Sequence, residues 1–352
     1  RPRPDRPGGR RAGGRLDPAH RPGTQLRMTN PVVLHIGYHK TATTWFQGIF
    51  YPAVRNVAYL ERRRVVDAFL TDPAFHFDPA EARRRLGLEG PEPPLAICEE
   101  ELCGYPHNAG LGGFQAKETA VRLARTFPQA QVVIFLRRQP DMIAACYMQY
   151  VREGGTHAPR RYLFPAEHLR GARARIYKMP RFNFEQFEYD RLIAHYQALF
   201  GPERVHVFCY EAFRAEPTAF LNAFAERLGL DVDVAGLPAG THANRSYSRA
   251  LLQVARRVNL ASNRKVLDKT CLMHIPGWYQ GWKRLLKRLN ATGATGAPPT
   301  PREIFGDELH DWIERRYESS NRRLAQITGC PLSEFAYPLS PPTPDARTAG
   351  GN

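Results

Sequence analysis

Three short stretches of this chain combine residue types suited to holding an anion and moving a proton. The first is Gly37-Tyr38-His39-Lys40-Thr41-Ala42-Thr43-Thr44-Trp45, which follows an apolar run. Backbone N–H groups at a helix start, one ammonium and several hydroxyls make a phosphate site. Gly37 lies only three residues before Lys40, and Ala42 replaces a glycine, so the stretch departs from the Walker pattern. The second is Cys98-Glu99-Glu100-Glu101-Leu102-Cys103-Gly104, whose carboxylates are candidates for accepting a proton. The third is Arg137-Arg138-Gln139-Pro140, followed by Cys146, which offers a second cationic point. Arg62-Arg63-Arg64 and Arg83-Arg84-Arg85 read as solvated helix faces. Trp278, Tyr279 and Trp282 beside Lys283, Arg284, Lys287 and Arg288 form an aromatic and basic cluster. A lid over a sugar, a membrane-surface helix and a helix packing its aromatics all remain open for it.

Those residues need a frame, and the hydrophobic pattern supplies one. Pro31 to Ile36, Leu95 to Cys98, Gln131 to Leu136 and Arg204 to Tyr210 read as short buried strands. Between them run helical patterns over Trp45 to Val54, Ala116 to Phe127, Asp141 to Arg152, Phe187 to Phe200 and Pro217 to Leu228. This alternation predicts an α/β fold, three-layer αβα with a central parallel sheet, like the P-loop nucleotide-binding proteins. Ligands in such folds bind at the carboxyl ends of the strands, where all three stretches fall.

The chain has 352 residues, a formal charge of +16 and 43% apolar residues, enough for a sizeable core. No run approaches the roughly 18 apolar residues of a bilayer span, and no apolar secretory segment opens the sequence. The six cysteines, at 98, 103, 146, 209, 271 and 330, show no CxxC pair and fit reduced thiols in a cytoplasmic protein. Residues 1–27 carry eight arginines against two aspartates, a net +6, and read as a disordered basic leader. Translation is expected to start at Met28, just before the first strand. Residues 31–337 read as the functional domain and 338–352 as a disordered tail. The remaining +10 still points to an anionic partner, and no aromatic residues interleave the leader's arginines as nucleic-acid binding would favour.

The ordered set of motifs resembles the sulfotransferases that use 3′-phosphoadenosine 5′-phosphosulfate (PAPS). His39 to Trp45 is similar to their 5′-phosphosulfate loop, Lys-Ser/Thr-Gly-Thr-Thr with Trp often next. Arg138 with Pro140 is similar to their 3′-phosphate motif, whose serine position is occupied here by Cys146, a weaker donor. Tyr210-Glu211, Pro217 to Gly229, Asn244-Arg245-Ser246 and Ser320 to Ala325 resemble further bacterial blocks, so the likeness spans residues 31–337. It implies that Lys40 stabilises charge on the leaving group, while Thr41, Ala42, Thr43 and Thr44 hold the 5′-phosphate and sulfate. Trp45 would stack on adenine, and Arg138 with Cys146 would take the 3′-phosphate. Glu100 aligns with a family glutamate and is the expected general base, with Glu99 second and His107 a further candidate. His39 would orient a group beside Lys40. The implied co-substrate is PAPS and the product adenosine 3′,5′-bisphosphate, with no metal, and the acceptor a carbohydrate, glycolipid or small-molecule hydroxyl or amine. Two other readings stay in play: a P-loop small-molecule kinase using ATP, and a basic nucleic-acid-binding protein.

Overall fold

The computed structural model describes residues 32–91, 93–107, 109–165, 182–238, 246–262, 269–293 and 295–339. The expected leader, nearly all of the expected tail, and Asn244 and Arg245 lie outside the described residues. Five parallel strands form the centre: β1 Val32–His35, β2 Ala58–Tyr59, β3 Leu95–Cys98, β4 Gln131–Leu136 and β5 Val205–Cys209. Their order is β2-β3-β1-β4-β5, with Leu34 of β1 opposite Ile97 on one side and Val132 on the other. Among the described residues, the helices of eight residues or more are α1 Arg62–Phe69, α2 Pro79–Leu86, α3 Phe114–Thr126, α4 Gln139–Arg152, α5 Tyr189–Phe200, α6 Pro217–Leu228, α7 Arg249–Val258, α8 Trp278–Ala291 and α9 Asp307–Thr328.

Alternating side chains divide the core between the two faces of the sheet. Val32, Leu34, Leu95, Ile97, Val132 and Ile134 pack with α1, α2, α3, α5 and α9. Val33, Ala96, Val133 and Phe135 face Phe46, Phe50 and the α6 residues Leu221 and Phe224. Here the rings of Phe46, Phe135 and Phe224 lie 5.1 to 5.8 Å apart in tilted pairs. Burying each such ring contributes roughly 1.5–3 kcal/mol. With both faces covered, the strands read as continuous apolar runs, which is why the alternating α/β pattern was legible. The three-layer arrangement is as expected.

Two elements differ from the expectation. β2 is only two residues long, too short to stand out in the sequence. The helix expected over 45–54 is a run from Thr43 to Ala53 whose middle, Phe46–Phe50, winds as a π-helix. Pro52 has no N–H to return to the Gly48 carbonyl, so the regular ladder cannot continue there.

Candidate functional site

The connection leaving β1 crosses to the α6 face, whereas those leaving β3 and β4 cross to the α3 and α5 face. Backbones diverge around the end of β1, and the cleft they leave is where an α/β sheet takes ligands. β1 is prolonged into it, since Tyr38 N–H still donates to the Phe135 carbonyl at 2.8 Å. Gly37 then makes the close approach. Its φ is +110°, and a Cβ there would sit 3.2 Å from the Glu100 Cα and 3.3 Å from the Cys103 Sγ. Only glycine lets the turn after β3 lie against the loop after β1.

The loop itself turns through two left-handed residues, Lys40 at φ +63° and Ala42 at φ +67°. Ala42 occupies the position where the resembling motif has glycine, and its backbone explains that preference. Left-handed geometry costs a non-glycine residue roughly 1–2 kcal/mol, against roughly 0.4–1 kcal/mol of unfolded-chain entropy that a glycine adds. Ala42→Gly is therefore expected to raise stability by about 0.5–1 kcal/mol. A urea unfolding midpoint that stays put or falls would contradict this. The Ala42 carbonyl receives Trp45 and Phe46 N–H, while no described residue accepts from the N–H groups of Lys40 to Thr44. Thr41 is fully buried and its hydroxyl donates to the Tyr38 carbonyl. Thr43 is buried and Thr44 is exposed.

Three cations gather over this loop. Burial holds the Lys40 ammonium down to about 8, and the charge of Arg152 adds to the depression, with Arg137 contributing less. Arg137 donates from Nη1 to the Lys40 carbonyl at 3.1 Å, and its guanidinium stands 5.3 Å over the Tyr210 ring. Among the described residues no carboxylate forms an ion pair with Arg137 or with Arg152 at the end of α4. Cys146, one turn and a half earlier on α4, is completely buried. Burial pushes its thiol up to about 12 against the pull of Lys40 and Arg137, so it is uncharged.

Arg138 lies elsewhere. Its Nη1 pairs with Asp141 at 2.8 Å, its Nη2 with Glu314 of α9 at 2.6 Å, and its Nε donates to the Ala336 carbonyl at 2.8 Å. Two carboxylates neutralise that guanidinium, whereas Arg137, which acts with Lys40 on Cys146, has no carboxylate partner among the described residues. The Arg137-Arg138 doublet carried the signal, and the sequence offered nothing to tell its members apart. Arg152, whose charge acts on Lys40, was not singled out in the sequence.

The candidate bases separate in the same way. Glu99 is fully buried. Its Oε2 accepts from Arg62 at 2.6 Å and its Oε1 from the Glu101 N–H at 3.0 Å. Burial pushes its carboxyl up to about 7 against those partners. It caps the turn and anchors α1. Glu100 is only half-buried, with Oε2 held by Gln47 Nε2 at 2.9 Å, and Gln47 is itself tied to the Cys98 carbonyl at 3.0 Å. His39 is buried, its Nδ1 3.7 Å from the Cys103 Sγ. Burial lowers its pKa to about 4 despite the attraction of Glu100, so the imidazole is neutral at pH 7. His107 sits in a box of Tyr105, Tyr150 and Tyr162, with Nδ1 2.8 Å from the Tyr162 hydroxyl and Nε2 3.6 Å from Glu153. Burial would raise the Glu153 carboxyl, but His107, Gln149 and Tyr105 outweigh it and hold it down to about 2.

Trp45 does not line the cleft. It is 4% exposed, 5.3 Å from both Phe46 and Phe213, and its indole N–H donates to the Pro238 carbonyl at 3.3 Å. The structure gives it to the core, because the helical run after the loop turns its first aromatic inward.

No curated protein matches the chain. Among solved structures, the chain is similar to a sulfotransferase from Alicyclobacillus acidocaldarius at 19% identity and a TM-score of 0.42, covering 61% of this chain and 87% of that one. It is also similar to the sulfotransferase domain from the curacin biosynthetic pathway at 10% identity and a TM-score of 0.36, covering 88% of this chain and 99% of that one. Residues 116–234, the segment that holds β4, Arg137, Cys146, Arg152, β5 and α6, match the model of the sulfotransferase family.

Proposed function

We propose that the chain transfers the sulfuryl group of PAPS to a hydroxyl or amine of a carbohydrate, glycolipid or small-molecule acceptor, releasing adenosine 3′,5′-bisphosphate. The observation that carries this reading is the convergence of Lys40, Arg137 and Arg152 on the glycine turn after β1, with neither arginine paired to a carboxylate among the described residues. Three cations in one partly buried place repel each other unless an anion sits among them. A donor with two separated anionic groups fits that arrangement.

In this reading the acceptor oxygen attacks sulfur in line as the bond to the bridging phosphate oxygen breaks, through a loose transition state like that of phosphoryl transfer. Lys40 stabilises the charge gathering on the departing oxygen. The free N–H groups of the loop and the exposed Thr44 hydroxyl hold the 5′-phosphosulfate. Arg137 takes the 3′-phosphate, with the neutral Cys146 thiol beside it. Glu100 receives the acceptor's proton, since Gln47 holds one of its oxygens and leaves the other available. His39, neutral at pH 7, keeps positive charge away from Glu100 and lets it stay a base.

Labelled donor settles the reaction. With PAPS carrying labelled sulfur and a mixed panel of alcohols, sugars and amines, label is expected in an acceptor. Label transferred from the γ-phosphate of ATP instead would favour the kinase reading and contradict this one. A pH dependence follows from Lys40. Its ammonium binds the anion and its neutral amine does not, so affinity for adenosine 3′,5′-bisphosphate is level up to about pH 8. Above that it falls, by at most about tenfold per pH unit, until the higher pKa of the complex is passed. Titration calorimetry from neutral to alkaline pH checks this, and an affinity that holds through the alkaline range would remove Lys40 from the site.

A further inference from the structure

The excess positive charge of this chain is concentrated in one stretch of its sequence. Residues 234–302 contain twelve Lys and Arg and a single acid, Asp268, a net +11. Everything else from residue 28 onward sums to −1. The charge left over after the leader therefore resides in the segment that builds α7 and α8.

The same region exposes apolar side chains. Val254 on α7, Leu272, Met273 and Ile275 in the approach to α8, and Leu285 and Leu289 on α8 are 38% to 73% exposed. On α8, Tyr279, Leu286 and Asn290 form the buried face, and Tyr279 donates its hydroxyl to the Arg152 carbonyl at 2.9 Å. Trp278, Trp282, Leu285 and Leu289 recur at helical spacing along a second stripe beside that face, with the two indoles 5.4 Å apart edge to face. Arg284, Lys287 and Arg288 point to the remaining side, and no described carboxylate pairs with them. The two indoles are partly covered, Trp278 donating its N–H to the Val258 carbonyl at 2.9 Å, but Leu285 and Leu289 continue the stripe into solvent, for which a surface helix built only for solubility has no use.

We propose that α8 and the approach to it, residues 271–291, dock the protein onto the surface of an anionic lipid bilayer. Unpaired cations complement acidic headgroups, and the apolar stripe enters the boundary between headgroups and acyl chains. A nucleic acid would use the cations but leave Leu272, Met273, Leu285 and Leu289 without a partner. The proposal stands apart from the sulfotransfer reading. It has one consequence for it: α8 is tied through Tyr279 to the end of α4 that carries Arg152, so docking would bring the cleft to a membrane-borne acceptor.

The test is sedimentation of the full chain with vesicles of phosphatidylcholine alone and with vesicles also containing phosphatidylglycerol. The parent protein is expected to partition onto the acidic vesicles and far less onto the neutral ones. Lys287→Glu with Arg288→Glu should weaken that partition by at least roughly tenfold. Leu285→Ser with Leu289→Ser should weaken it too, and its residual binding should be the more sensitive to salt. The leader is the same in every variant, so the differences report on α8 alone. Unchanged partition in both variants would overturn the proposal. So would loss with the charge variant alone, accompanied by equal loss of binding to a single-stranded oligonucleotide, which would make the face a nucleic-acid surface. All four positions are exposed, and thermal unfolding of each variant verifies that it folds.

Discussion

Replacing Lys40 with alanine is expected to lower kcat for sulfuryl transfer about 10³-fold, the scale on which a single preorganised charge donor acts at a developing oxyanion. The folded state should not suffer. The Lys40 ammonium is depressed to about 8 by burial and by the neighbouring charge of Arg152, so in the free protein it is held against repulsion. Its removal relieves that repulsion, and the variant should unfold at the same temperature as the parent or slightly higher. Lost turnover with stability kept is the signature of a group that serves the transition state. Lost turnover with a lower unfolding temperature would instead make Lys40 a structural residue.

The second large effect separates two adjacent arginines. Arg137→Ala is expected to weaken adenosine 3′,5′-bisphosphate binding by about 2 kcal/mol, close to thirtyfold, as for a hydrogen bond to a charged group. Arg138→Ala should leave that affinity within about twofold and lower stability instead, by about 2 kcal/mol. It would strip Asp141 and Glu314 of the partner that lies 2.8 and 2.6 Å from them in a side chain only 21% exposed. Calorimetry on both variants, with urea unfolding alongside, gives the four numbers. If Arg138→Ala weakens binding and Arg137→Ala does not, the second anchor is misplaced and the original alignment of that motif was right.

Legibility in the sequence followed what each feature depends on. β3 and β4 were readable to the residue, because a parallel strand buried on both faces is an unbroken apolar run. The strand-turn-helix setting of Lys40 was readable for the same reason. What the sequence could not express was which of two like neighbours turns which way. Arg137 and Arg138, and Glu99 and Glu100, are doublets at strand ends, where successive side chains point to opposite sides. The choice is made by residues far along the chain: Glu314 draws Arg138 away, and Arg62 draws Glu99 inward. Trp45 illustrates another limit. An aromatic after a binding loop suits stacking as well as packing, and only the surrounding Phe46, Phe50 and Phe213 show that the core holds it. The charge excess is a third case. Its total was visible at once, but its concentration next to exposed leucines required knowing which face of α8 is buried.

The central claim is that the cations around Lys40 hold a nucleotide bearing two separated anionic groups, and binding tests it without knowledge of the acceptor. Thermal unfolding is to be measured with adenosine 3′,5′-bisphosphate and, separately, with ATP and magnesium. At about a hundredfold excess over Kd the bisphosphate should stabilise the protein by about 2.7 kcal/mol, a shift of several degrees, and Arg137→Ala should abolish most of it. Stabilisation by ATP and magnesium with none from the bisphosphate would contradict the account.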